Sequence, residues 1–415
     1  MPEGRGGQGK RGPLIDSRAI VRVAVAGTGS FGRNHLRVYR ELEQAGAGVQ
    51  LVAAIEPNPQ RAAETAEKYG IAVFATPQDL LSSGLNVQAA TAAVPTIHHH
   101  AVASVLLQGG LDVLVEKPIA ATLAEADELV SLAEKHGRVL QVGHLERFNP
   151  AIMAVQSHLR RPMFFEAHRL SVFTPRALDV DVVLDLMIHD LDVVLTLAGS
   201  EVREVRAVGL PIVSPKVDIA NVRVEFESGC VANFTASRVS TERVRKLRFF
   251  EPSQYVSIDY ARQDLLLIRM DRATDEASVQ TPSFLSPQLL AMLPPEVAAA
   301  LPTALASGKL DPALIAKVAA SGKIDPALIA MAQTLLGGEK NGPAPGLSFV
   351  KPEVTPGEPL KLELTSFIDS VRERRTPQVT ARQGRNALAL ALEIQRSMEA
   401  HAERAGLADF FHPGA

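Results

Sequence analysis

Between residues 20 and 143 short apolar runs recur at regular spacing. They are IVRVAVA (20–26), VQLVAAI (49–55), VQAATAAV (87–94), DVLVE (112–116) and VLQVG (139–143), with helical patterns between them. Strands that alternate with helices imply a parallel sheet covered on both faces. The helix expected after Lys117 has a readable start, because Thr122 can cap it and Glu125 can complete a capping box. After residue 160 the texture changes. FFEAHRLSV (164–172), NVRVEF (221–226), CVANFTAS (230–237), KLRFF (246–250), YVSIDY (255–260) and DLLLIR (264–269) read as strands with short connections. Ser228-Gly229 is a hairpin signal, and a helix over 184–198, closed by Gly199, precedes most of these strands. The expected fold class is α/β: an N-terminal Rossmann doubly wound parallel sheet, then an α+β domain with a large, mostly antiparallel open sheet.

The pattern also sets boundaries. Residues 1–18 read as a disordered tail, 19–145 as the dinucleotide-binding domain, and 146–270 with 351–400 as a substrate-binding and oligomerisation domain. Residues 271–350 read as a helical insertion. Within it Ser307-Gly308-Lys309-Leu310-Asp311-Pro312-Ala313-Leu314-Ile315-Ala316 recurs as Ser321-Gly322-Lys323-Ile324-Asp325-Pro326-Ala327-Leu328-Ile329-Ala330. Each Asp-Pro is an N-cap followed by the first helical position.

Composition narrows the function classes. The 415 residues carry 43 Lys plus Arg and 46 Asp plus Glu, a net charge of −3. That balance makes no case for nucleic acid or an anionic membrane as a general partner. A single cysteine, Cys230, excludes an intramolecular disulfide and a cysteine-based metal cluster, as suits a cytoplasmic protein. No apolar run approaches the ~18–20 residues of a spanning helix. The N-terminus MPEGRGGQGKRG has no apolar core of a secretory signal.

The first strand runs into Gly27-Thr28-Gly29-Ser30-Phe31-Gly32, which opens a helix. In that context GxGxxG reads as a dinucleotide loop. Gly27 permits the turn, Gly29 lets backbone approach the pyrophosphate, and Gly32 allows close packing of helix on strand. The helix N-terminus offers N–H groups and a positive dipole end to the phosphates. Glu56 ends the second strand, 24 positions after Gly32. A carboxylate there can accept from the ribose hydroxyls and would repel a 2′-phosphate, so NAD is preferred to NADP. Arg33 stands near enough to soften that preference.

Glu116-Lys117-Pro118 falls at the carboxyl end of the fifth strand, where ligands of open α/β sheets bind. Together with Val94-Pro95-Thr96-Ile97-His98-His99 and the Asp-x-x-x-His of Asp185-Leu186-Met187-Ile188-His189, it resembles the Gfo/Idh/MocA family of sugar and cyclitol dehydrogenases. The likeness covers residues 20–270 and the C-terminal helices. It implies that Lys117, Asp185 and His189 are catalytic. It also implies that Ser30, Phe31, Pro95, His99 and Glu116 join the glycines, Glu56 and Lys117 around the cofactor. The residues are chemically suited to this. Asp185 and His189, four apart on a helix, share a face. Alcohol oxidation needs a base, and histidine titrates near the working pH. The Lys117 ammonium can polarise the carbonyl that forms. Either Lys117 or His189 can take the proton. No metal site is expected.

The segments Val142–Pro150 and Val180–Asp190 look like the branch of that family that oxidises the 3-hydroxyl of UDP-N-acetylglucosamine. A partner aminotransferase then makes a 3-amino sugar for lipid A. A UDP-sugar brings two phosphates that need cationic or N–H donors. Arg147 and Arg169, with Asn149 for sugar hydroxyls, are the expected substrate residues beside Lys117, Asp185 and His189; Arg176 and Arg238 are further candidates. The expected partner is thus a small nucleotide sugar, with a homodimer or homotetramer as in the family. Another sugar or inositol dehydrogenase is the alternative, as is a glycosidase that uses NAD transiently and releases no net NADH. A non-catalytic dinucleotide sensor is disfavoured by the intact Lys117, Asp185 and His189.

Overall fold

The computed structural model describes residues 20–174, 180–270 and 347–407. The N-terminal tail, Arg176, the internal repeat and all of the expected insertion up to residue 346 lie outside the described residues.

The first half is a six-stranded parallel sheet. Its strands are β1 (Val21–Ala26), β2 (Val49–Ile55), β3 (Ala72–Phe74), β4 (Ala89–Ala92), β5 (Asp112–Glu116) and β6 (Leu140–Gly143), in the order β3-β2-β1-β4-β5-β6. The runs carry no polar alternation because both faces are covered, and every residue of β4, β5 and β6 is buried. Helices α1 (Ser30–Gln44), α2 (Pro59–Tyr69), α3 (Pro77–Ser82), α4 (His99–Gln108) and α5 (Leu123–His136) connect the strands. The capping box of α5 forms as expected: Thr122 Oγ1 accepts from Glu125 N at 3.2 Å, and the Glu125 carboxylate accepts from Thr122 N at 3.1 Å. Strand order reverses between β1 and β4, so the crevice for a ligand opens outside their carboxyl ends.

The second half begins with the short helix α6 (Pro150–Val155) and continues as an eight-stranded sheet. Its strands are β7 (Phe164–Val172), β8 (Val202–Leu210), β9 (Ile219–Phe226), β10 (Val231–Ser240), β11 (Val244–Glu251), β12 (Gln254–Asp259), β13 (Asp264–Met270) and β14 (Leu347–Val350). The order is β14-β13-β12-β11-β7-β10-β9-β8, and only the β7–β10 pair is parallel. The hairpin expected at Ser228-Gly229 joins β9 to β10, with Gly229 at a φ of +81°. One face of this sheet buries Phe165, Phe234, Leu247 and Phe249 beneath α7 (Ile188–Ala198) and α9 (Ala381–Arg404).

Three strands depart from the sequence reading. β3 has only three residues. In β8 a bulge between Val202 and Glu204 breaks the alternation, and only Ala207 and Gly209 are buried. Leu347–Val350, expected to close a helical insertion, is instead an edge strand paired with β13.

The C-terminal helices knit the halves together. Helix α8 (Pro359–Glu373) sets Leu364, Phe367, Ile368 and Val371 against Val21, Val23, Leu36 and Leu51 of the parallel half. Helix α9 spans both cores, with Leu388 in the first and Leu390, Ile394 and Met398 in the second. Among the described residues no helix is long and apolar enough to cross a membrane. Phe367 is fully buried, so Phe367→Ala is expected to lower stability by about 3–5 kcal/mol. Urea denaturation measures this, and a loss below about 1 kcal/mol would show that α8 does not brace the parallel sheet.

Candidate functional site

The glycine loop has the shape its residues require. Gly27 has φ +86°, and a Cβ there would lie 2.7 Å from Ala93 O. A Cβ at Gly32 would lie 1.8 Å from Gly27 O, so α1 packs on the loop with no room for a side chain. Beside Gly29 nothing stands within 4 Å. That open space lies at the start of α1, whose N-cap is Gly29 and whose first turn has no acidic residue. The N–H groups there are left to serve an anion, which fits the pyrophosphate of a dinucleotide. Ser30, Phe31 and Pro95 are exposed around this opening.

Glu56 is buried at the end of β2. Its Oε2 accepts from Thr28 N at 3.0 Å and Thr28 Oγ1 at 2.8 Å; its Oε1 accepts from Asn58 N and Arg61 Nη2, each at 2.9 Å. Burial opposes the charge, but these donors overcome it and hold the carboxyl below its ordinary range. Glu56 therefore braces the glycine loop, with Thr28 as its partner. Arg33 Nε donates to Thr28 O at 3.2 Å, on the same loop.

Two loops meet at the mouth of the crevice. His99 Nδ1 lies 2.8 Å from Pro118 O and His99 Nε2 lies 2.9 Å from Val94 O. The buried ring thus ties the end of β4 to the Glu116-Lys117-Pro118 turn, in which the Lys117–Pro118 bond is cis. Glu116 is buried, and Oε1 pairs with His35 Nε2 of α1 at 2.7 Å while Oε2 accepts from Lys117 N at 3.3 Å. Burial works against its charge, but His35 and then Lys117 outweigh that and keep the carboxyl below its usual value. Gly143 in β6 leaves the room: a Cβ there would lie 3.0 Å from the Glu116 carboxyl carbon.

The second half supplies the opposite wall. Residues Val183–Met187 form a single π-turn that runs into α7, where the sequence pattern predicted one α-helix. Single π-turns recur at functional sites. Asp181 secures it, accepting from Val183 N at 2.8 Å and Leu184 N at 3.1 Å, and Gln395 of α9 donates to the same carboxylate. The turn presents the Asp185 carbonyl to Lys117, whose Nζ donates to it at 2.7 Å. Lys117, Asp185 and His189 are thereby brought to one place. Burial lowers the Lys117 ammonium below its ordinary value against the attraction of Asp185 and Glu116. Burial also takes His189 well below its ordinary value, and Lys117, Arg169, His144 and Arg245 push it further. Its imidazole is neutral, and Nδ1 is buried without a partner among the described residues.

The residues expected to hold substrate phosphates and hydroxyls are engaged with partners inside the protein. Arg169 is buried, with Nε and Nη2 on Asp190 at 2.7 and 3.0 Å and Nη1 on Glu146 at 3.0 Å; its guanidinium lies 5.2 Å over the Tyr260 ring. Arg147 donates to Thr196 Oγ1 at 2.5 Å and lies 3.6 Å from Asp192. Asn149 caps α6 through Ala151 N and donates to Tyr260 O at 3.0 Å. Arg238 Nη2 donates to Val180 O at 2.5 Å. These donors point to partners within the protein, as buried charges must be paired there. The residues the sequence reading did not single out are Thr28, His35, Asp181 and His144. Only His35 left a signal, a polar residue on the buried stripe of α1. Among the described residues no group of His, Cys, Asp or Glu is arranged to hold a metal ion.

A glycine loop at a sheet crossover, a half-buried lysine at the end of β5 and an Asp-x-x-x-His on the facing wall define a Rossmann-fold oxidoreductase that uses a nicotinamide cofactor. Residues 21–144 match the model of the Gfo/Idh/MocA oxidoreductase family with an NAD-binding Rossmann fold, and residues 151–250 match the GFO/IDH/MocA C-terminal domain. The chain belongs to the Gfo/Idh/MocA family and is an oxidoreductase of the type acting on CH–OH groups. It is 39% identical to a UDP-N-acetylglucosamine 3-dehydrogenase of Acidithiobacillus ferrooxidans over 246 residues, 59% of this chain and 76% of that protein. A solved structure of UDP-N-acetylglucosamine 3-dehydrogenase GnnA from Acidithiobacillus ferrooxidans has a TM-score of 0.69 and 29% identity, covering 91% of this chain and 97% of that one. A scyllo-inositol 2-dehydrogenase (NAD(+)) of Bacillus subtilis is 27% identical, over 53% of this chain and 68% of that protein.

Arg169→Ala would leave the buried Asp190 and the partly buried Glu146 without their cation. The expected cost is about 3–5 kcal/mol of stability, read by thermal or urea unfolding. A variant of unchanged stability would return Arg169 to the list of ligand-binding residues.

Proposed function

We propose that this protein uses NAD to oxidise a secondary alcohol of a nucleotide sugar, the 3-hydroxyl of UDP-N-acetylglucosamine. The observation that carries this reading is the half-buried Lys117 ammonium, held by the Asp185 carbonyl beside a neutral His189, at the mouth of the dinucleotide crevice. The likeness to a UDP-N-acetylglucosamine 3-dehydrogenase supports the choice of substrate.

When bound, the nicotinamide ring supplies the hydride acceptor. The chain's own groups handle the oxygen and its proton. Lys117 Nζ holds the alcohol oxygen and stabilises the charge that grows on it. His189 accepts the hydroxyl proton, because it is neutral where an ordinary histidine would be partly charged. The Asp185 carboxylate orients the sugar. Glu56 disfavours a 2′-phosphate, which supports NAD over NADP; Arg33 and Arg61 lie close by and moderate the preference. The 3-keto product suits an aminotransferase that installs a 3-amino group. The uncovered face of the second sheet suits a homodimer or homotetramer.

Incubation with NAD and a panel of UDP-sugars, with an aldehyde-reactive trap for the ketone, tests the reading. UDP-N-acetylglucosamine is expected to give net NADH by absorbance. Turnover without net NADH would instead favour the glycosidase chemistry, and oxidation of a free inositol but no UDP-sugar would sink the substrate assignment. Lys117→Ala and His189→Ala should each lower kcat by about 10²–10⁴ and leave NAD affinity unchanged by calorimetry. Near-normal turnover in both would remove them from the chemistry. Glu56→Gln keeps a group that can hydrogen-bond Thr28 and removes the charge. The kcat/KM ratio of NAD to NADP should fall about tenfold, equivalent to ~1.4 kcal/mol; an unchanged ratio would take Glu56 out of cofactor selection.

A further inference from the structure

Arg245 stands in β11 directly opposite Arg169 of β7. Residues opposed in an antiparallel ladder point to the same face. That face carries Phe165, Ala167, Leu247 and Phe249 beneath α7 and continues toward His189. On its other side the Arg245 carbonyl accepts from Tyr260 N at 3.0 Å, so β11 is held in register on both edges. Arg169 takes both nearby carboxylates, Asp190 and Glu146. Arg245 has none. Its side chain makes no hydrogen bond or ion pair with another described residue, and its Nε is buried without an acceptor. Burial and the positive charges of Arg169 and Arg243 disfavour its ionised form and outweigh the attraction of Glu146 and Asp190, both of which are paired with Arg169. Its charge nevertheless reaches His189, one of the groups proposed to act on the substrate.

A half-buried guanidinium with like charge opposite it and no anion of its own is costly until an anion arrives. Of the other arginines expected to serve phosphate, those among the described residues, Arg147, Arg169 and Arg238, donate to groups inside the protein. We propose that Arg245 binds the phosphate-bearing part of the substrate beside His189 and so selects phosphorylated over neutral sugars. The inference rests on the sugar-alcohol reading above and names the residue that gives that site its substrate class. A guanidinium can take two phosphate oxygens at once, which a lysine at this position would not reproduce.

The test uses the full-length, NAD-loaded protein and its Arg245→Gln and Arg245→Lys variants, with UDP as the calorimetric probe. Kinetics follow with N-acetylglucosamine, its 1-phosphate and UDP-N-acetylglucosamine. Arg245→Gln is expected to bind UDP about 10–100-fold more weakly, in line with a charge-assisted hydrogen bond, while NAD affinity and the unfolding midpoint do not fall. Arg245→Lys should recover part of the loss. At about pH 8, where His189 is neutral with or without the Arg245 charge, KM for the phosphorylated sugars should rise with kcat little changed, and KM for the neutral sugar should not rise. Equal UDP affinity in wild type and Arg245→Gln, or no UDP binding by wild type, overturns the proposal. Arg245-dependent UDP binding without oxidation of any UDP-sugar would uphold the anion site and reject the dehydrogenase substrate proposed above.

Discussion

The hydrogen bond from Lys117 to the Asp185 carbonyl joins the two halves of the molecule at the proposed reaction centre. An ammonium in a buried crevice has to be met by oxygen, or the charge is lost. The parallel half can offer it only one carboxylate, Glu116, and that group is already paired with His35. The rest comes from across the crevice. The π-turn at Val183–Met187 turns a backbone carbonyl outward, Asp181 and Gln395 hold the turn, and α9 carries Gln395 while packing on both cores. The ring of His99 fixes the other end by tying Pro118 to the end of β4.

Charge distribution follows from this constraint. Cations crowd the crevice: Lys117, Arg169 and Arg245 all act on His189, and together with its burial they keep it neutral. The nearby carboxylates are shared among them: Asp190 and Glu146 pair with Arg169, Glu116 pairs with His35, and Asp185 attracts Lys117. Among the described residues the Arg245 guanidinium on this partly buried wall forms no ion pair, and its Nε has no acceptor. Such a wall suits an anionic substrate, and it suits a reaction in which negative charge grows on an oxygen.

The dinucleotide half was legible because its signals are local. A continuous apolar run, a glycine loop and a helix start lie next to each other in the chain, and each constrains backbone shape directly. Edge strands were not. β8 carries Arg203, Glu204 and Arg206 and a bulge, so its burial pattern never becomes an alternation. Lys117, Asp185 and His189, the residues proposed to act on the substrate, were picked out by motif and resemblance. The arginines were harder, since position near an element end says nothing about where a side chain points. Arg169 and Arg147 face buried carboxylates supplied from α7, far along the chain. Arg245 lies in Val244-Arg245-Lys246-Leu247-Arg248, which reads as a solvated strand face until the register opposite Arg169 is known.

The account stands or falls on His189 as a neutral base beside a charged lysine. The pH dependence of kcat/KM for sugar oxidation at saturating NAD reports it most directly. A base must be deprotonated to act, and the His189 pKa lies well below 6.5. Activity should therefore hold level from about pH 6.5 upward on the acid side and fall only below that. His189→Asn should abolish that limb along with most of the rate. An acid limb centred at or above pH 6.5 in the wild type, or one that persists unchanged in His189→Asn, would contradict the assignment.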